Sequence, residues 1–183
     1  MASILAHAFA GWSLGYTSKQ PKITLIALAA CAALPDIDCL GFFLGIPYES
    51  PYGHRGFTHS ILFALTLSLF VTISYFLKSR HKFTGKELGS TPYFLHFTLF
   101  FFATLSHTIL DSMTNGGLGV AFFWPFDNTR YFLPWRPIQV SPLGINRFLS
   151  HRGLSILFNE MIWIVLPIST ILLVRNLARR LKK

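Results

Sequence analysis

Four short stretches of this chain hold four of its seven histidines and three of its seven acidic residues: Ala6-His7, Pro35-Asp36-Ile37-Asp38, His54-Arg55-Gly56-Phe57-Thr58-His59-Ser60 and His107-Thr108-Ile109-Leu110-Asp111. Imidazoles mixed with carboxylates suit zinc, manganese or iron, whereas calcium prefers oxygen alone. His107 and Asp111 are four residues apart, which on a helix places them on one face, one turn apart, in chelating register. The same spacing also fits an internal hydrogen bond. Asp36 and Asp38 have no basic residue close in sequence, and two carboxylates so near one another need a cation beside them. Asp36 as a plain helix N-cap is the alternative, and it leaves Asp38 unexplained. His54 and His59 bracket Arg55 just before a long apolar run, where Thr58 or Ser60 suits an N-cap and the free amides of a helix start attract anions.

The candidate metal ligands are therefore His7, Asp36, Asp38, His54, His59, His107 and Asp111. They would hold one or more divalent ions, zinc first, with manganese or iron as alternatives. More than four ligands would require more than one zinc, because zinc usually takes four. Cys39 is an occasional ligand at most; Cys31 and Cys39 otherwise read as buried thiols. A multinuclear site beside arginines is suited to hydrolysing a phosphoester, since metal ions activate water and clamp the displaced oxygens. The expected catalytic residues are Asp38, as the base that orients the attacking water, with His54 and Arg55. Arg55, Arg130, Arg136, Arg147 and Arg152 would bind a phosphorylated or lipid-like substrate, as the guanidinium fork matches phosphate and carboxylate oxygens. Glu160 is a reserve ligand or base, or the partner of a nearby arginine.

The elements that must position these groups are membrane helices. Of 183 residues 52% are hydrophobic and only 13% charged, and the mean hydropathy is +0.49, whereas an ordinary soluble domain has about 25% charged residues. The fold expected is an all-α integral membrane bundle, a single domain over 1–183 with about five helical segments. Residues 60–77, 92–110 and 156–174 each approach the roughly 20 residues a span requires. Residues 4–16 and 23–34 are shorter, as for tilted or re-entrant helices, and Pro35 predicts a break at the Asp pair. The segment 112–150, rich in glycine, proline and aromatics, reads as an interfacial loop or lid. Ala6-His7-Ala8 only faintly imitates a signal-peptidase site, so the N-terminus is read as mature protein.

The net charge of +9 does not imply nucleic acid, because the basic residues fall mostly in short loops flanking apolar segments. With alternating helices, Lys19, Lys22, Lys78, Arg80, Lys82, Lys86, Arg175, Arg179, Arg180, Lys182 and Lys183 share one side. The positive-inside rule makes that side, and the C-terminus, cytoplasmic in a bacterial or archaeal inner membrane. The candidate ligands and His151 then collect at the other, extracytoplasmic end.

With those residues in hand, the chain resembles the YdjM-type family of membrane-bound metal-dependent hydrolases. The resemblance rests on Leu34-Pro35-Asp36-Ile37-Asp38, Gly53-His54-Arg55-Gly56-Phe57-Thr58-His59-Ser60, Leu105-Ser106-His107 with Leu110-Asp111 and Thr114, and Gly119-Val120 through Trp124-Pro125. It implies a metal-dependent hydrolase and does not fix the substrate. A weaker likeness to zinc-dependent phospholipases C and single-strand nucleases would give zinc to His7, Asp36, His59, His107 and Asp111, although no second HxxxD or HxxxE follows. The alternatives to a hydrolase are an ion transporter and a membrane scaffold whose His/Asp groups satisfy one another. The oligomeric state is not legible.

Overall fold

The computed structural model describes residues 1–81, 92–142 and 148–181. It is all-helical: five rods and, among the described residues, no strand beyond two isolated bridges. Helix α1 is Ile4–Thr17, capped by the Ser3 hydroxyl, which accepts from the Ala6 N–H. Helix α2 is Lys22–Ala33 and runs on as a 3-10 helix, Leu34–Leu44. Helix α3 is Ile61–His81, α4 is Tyr93–Ser112, and α5 comprises His151–Glu160, a π-turn at Met161–Val165 and Leu166–Leu181. The π-turn lies just before Pro167, whose ring cannot be accommodated by a regular helix.

Among the described residues, three helices are long and apolar enough to cross a membrane, Lys22–Leu44, Tyr93–Ser112 and His151–Leu181, and Ile61–Leu77 is a further apolar stretch within α3. This corrects one expectation and removes one alternative. The Lys22–Leu44 rod does not break at Pro35: the helix tightens from α to 3-10 pitch there and continues to Gly45, which closes it in the left-handed region. Proline near the start of a new helical segment is tolerated, since the N–H it lacks is one the first turn would leave unused. Asp36 is accordingly inside the 3-10 helix rather than an N-cap. The N-cap of α3 is Ser60, whose Oγ accepts from the Phe63 N–H at 3.0 Å.

Two small clusters form the core: Leu28, Cys31, Ala32, Leu99, Phe100 and Ala103, where α2 meets α4, and Ala2, Ala6, Ile138 and Ile164, where the start of α1 meets the long loop and α5. Most large apolar side chains elsewhere point outward, among them Ile26, Phe70, Phe94, Ile171 and Val174, which suits hydrocarbon as the surrounding solvent. Between α4 and α5 the long loop is pinned to the helices it follows and faces. Thr114 bridges Ile138 and Val120 bridges Tyr131, while Ile61 N–H donates to Phe122 O and Ala121 N–H to Arg55 O.

Candidate metal centre

His107 and Asp111 lie one turn apart on α4, both fully buried, and they face the 3-10 segment carrying Asp36 and the loop carrying His59. His7 completes the group from α1, its ring stacked on His107 at 3.6 Å between centroids. Asp36, His59, His107 and Asp111 each offer a ligand atom within 4.8 Å of the others. His7 Nε2 stands 3.3 Å from Asp111 Oδ1 and 4.0 Å from Asp36 Oδ2.

The orientation of the imidazoles follows from their outer nitrogens. His107 Nδ1 is 2.7 Å from the Ala32 carbonyl, so it must donate, which leaves Nε2 with a lone pair. The sequence removes one competitor for that carbonyl. In a 3-10 helix it would accept from residue 35, and residue 35 is proline, which has no N–H. His59 Nδ1 is 3.2 Å from Asp38 Oδ2 and 3.1 Å from the Thr58 hydroxyl, which itself donates to Asp38. It too is a donor, and its Nε2 faces His107 Nε2 at 3.0 Å. Two lone pairs directed at one another need a cation between them, a proton or a metal.

The spacing suits a metal. Tetrahedral zinc with bonds of 2.0–2.1 Å separates its ligand atoms by about 3.3 Å. The observed separations are 3.0 Å for the two imidazoles, 3.3 Å from His107 Nε2 to Asp36 Oδ1, 3.8 Å from His59 Nε2 to the same oxygen and 3.5 Å from His59 Nε2 to Asp111 Oδ2. The unsatisfied atoms point the same way: both carboxylate oxygens of Asp36 and both ring nitrogens of His7 are buried without a hydrogen bond. Each such orphan costs about 1–3 kcal/mol, and a cation here would answer them together. His59 in the protein alone carries a proton up to high pH: burial works against its charge, but hydrogen bonds to Asp111 and Asp38 prevail and raise it to about 9.

Asp38 and His54 stand behind this group rather than in it. Asp38 Oδ1 accepts from His54 Nδ1 at 2.7 Å, and Oδ2 accepts from the Arg55 N–H at 3.0 Å and from Thr58. This carboxylate therefore orients two imidazoles at once, the arrangement by which outer partners fix a ligand's tautomer. His54 is held neutral, burial outweighing the pull of Asp38. Cys39 Sγ is 3.5 Å from His54 Nδ1, and Asp36, Asp38, Cys39 and His54 form a second group with ligand spacing. The loop reaches this geometry through glycine: a Cβ on Gly53 or Gly56 would lie 2.2 Å from Pro47 O or 2.1 Å from Pro51 O.

The arginines divide sharply. Arg55 is fully buried, at a left-handed φ of 64°. Its Nε donates to Asp111 Oδ2 at 3.0 Å, its Nη1 to Leu118 O and Gly116 O, and its Nη2 to Thr114 Oγ1. Arg130 holds the carbonyls of Tyr48, Ser50 and His54, Arg136 lies over the Phe132 ring, and His151 and Arg152 are exposed. Arg147 lies outside the described residues. Glu160 pairs with no arginine among the described residues, contrary to expectation: it accepts from the backbone N–H and hydroxyl of Ser3. Sequence reasoning passed over the segment before α1. Ala2 N–H donates to Asp111 Oδ1 at 2.8 Å, and no residue type marks a backbone donor in advance.

Residues 1–181 match the family described as YdjM inner membrane protein. Over 174 residues the chain is 34% identical to the inner membrane protein YbcI of Escherichia coli strain K12, covering 91% of this chain and 92% of that protein. No solved structure matches.

Proposed function

The chain belongs to the YdjM family of inner membrane proteins, and we propose that it is a metal-dependent hydrolase acting on a phosphoester or lipid-like substrate at the extracytoplasmic face. The observation that carries this reading is the 3.0 Å approach of the His59 and His107 Nε2 atoms, which requires a proton or a metal between them, beside the unsatisfied carboxylate of Asp36. His59, His107, Asp36 and Asp111 would hold a divalent ion, zinc before manganese or iron, with His7 alongside. A bound ion supplies Lewis acidity toward an ester oxygen and a lowered pKa for water.

The chain's own groups divide the remaining work. Asp38 fixes the rings of His54 and His59. His54, neutral and with Nδ1 turned toward Asp38, keeps Nε2 as the nitrogen that takes a proton from the attacking water. Arg55 holds Asp111 and the loop carbonyls of Gly116 and Leu118, so it sets the shape of the site and adds a fixed positive charge beside it. A site closed by so many buried groups on a membrane protein favours a substrate that approaches along the bilayer, which is why lipid-like esters share the first rank with phosphoesters.

Two measurements test the proposal. Metal content of the detergent-purified protein is compared with His107→Ala and Asp111→Asn at matched folding; one or more ions per chain, lost in both variants, is expected. The metal-loaded protein is then offered phosphodiesters, phosphomonoesters and acyl esters. Metal retained in both variants overturns the site, and inertness toward all three ester classes overturns the hydrolase.

A further inference from the structure

At the far ends of α1 and α5, the helices leave a shallow, open depression of about 300 Å³ lined by Tyr16, Lys19, Asn176, Arg179 and Arg180. It is remote from the His/Asp group: Thr17 is ten residues beyond His7 on the same helix, about 15 Å at 1.5 Å per residue. Three of the five lining residues are cations and none is an acid. Arg179 is partly spent, its Nη2 donating to the Thr17 carbonyl at 3.1 Å, which fixes one wall. Lys19 and Arg180 have no carboxylate within salt-bridge distance among the described residues. The two helix C-termini that meet here contribute about half a negative charge each, too little to neutralise three cations.

We infer that this depression binds the phosphate headgroup of an anionic phospholipid. The neighbouring surface supplies the argument for a lipid over a free anion. Ile171, Val174 and Leu177 are exposed on the last turns of α5, in a helix apolar enough to span the bilayer, so acyl chains have an apolar surface directly beside the charge. Trp12 and Tyr16 stack at 4.9 Å on α1, placing an amphipathic aromatic pair at that depth, where such rings collect. The volume sits at the lower limit of small-ligand pockets: it accommodates a headgroup and leaves the chains outside. Basic pockets between helix ends bind acidic lipid headgroups through the same physics.

The test uses the full chain in a zwitterionic detergent, with phosphatidylglycerol or phosphatidylcholine titrated in and bound lipid counted by native mass spectrometry. Phosphatidylglycerol is expected to bind in preference to phosphatidylcholine. A Lys19→Gln/Arg180→Gln protein of unchanged lipid-free melting temperature should bind it about thirtyfold more weakly, the loss expected for two such charges. Equal retention by the double variant, or no preference between the two lipids, overturns the inference. Inorganic phosphate forms the third arm. If it protects the protein from melting as effectively as the lipid at equal concentration, the site is one for soluble anions and the lipid assignment fails.

Discussion

Replacing Asp38 with asparagine separates two tasks that the structure assigns to one carboxylate. Three donors converge on Oδ2, from Arg55, Thr58 and His59, and one on Oδ1, from His54. An amide must therefore turn its oxygen toward the three and its NH2 toward His54 Nδ1, because the reverse sets three donors against a fourth. His59 keeps its tautomer, so metal affinity should fall by no more than about tenfold, through loss of the negative charge. His54, now facing a donor at 2.7 Å, must accept at Nδ1 and carry its proton on Nε2. If that nitrogen takes a proton during hydrolysis, activity should fall by about 100-fold to 10,000-fold, or about 3–5 kcal/mol in the barrier. The assay combines metal competition against a chelator, turnover of whichever ester is accepted, and nitrogen NMR of the His54 ring. A metal affinity down more than a hundredfold, with His54 still protonated on Nδ1, would refute the reasoning by making His59 the ring that lost its partner.

Pro35→Ala returns an N–H that competes for the Ala32 carbonyl; metal affinity should weaken by up to about tenfold, the worth of one hydrogen bond, read in the same chelator competition. Arg55→Ala leaves Asp111 buried without its guanidinium partner and should destabilise the protein by about 3–5 kcal/mol, seen as a large drop in melting temperature that Arg55→Lys does not restore. Metal affinity should rise with pH, about tenfold per unit up to pH 9, and level off above it. The sign follows from His59, whose raised pKa of about 9 means that an ion must displace a proton below that value. By the same linkage the metal-free protein gains stability from this proton below its unfolded pKa and loses it as the pH climbs through 9, so its melting temperature should fall there. Gly56→Ala, with a Cβ 2.1 Å from Pro51 O, should displace the His54–His59 loop and abolish metal binding while the far ends of α3 and α4 remain helical by circular dichroism.

Much of this protein is legible in its sequence because hydropathy and helical periodicity are local. The apolar runs, the all-helical class and the one-face register of His107 with Asp111 follow from residue type and spacing alone. The same local reasoning failed at Pro35. A proline rules out one hydrogen bond but does not say whether the chain stops or tightens its pitch, and here packing carried the rod on to Leu44. Sequence supplied seven candidate ligands without ranking them by depth. The fold sorted them, setting His7, Asp36, His59, His107 and Asp111 around one point, with Asp38 and His54 behind, because that order depends on how a glycine-threaded loop lies against three helices. The partners drawn from backbone, Ala32 O for His107 and Ala2 N–H for Asp111, were decided by tertiary structure alone. Every residue carries the same amide and carbonyl, and only the path of the chain determines which of them is left free to meet a side chain.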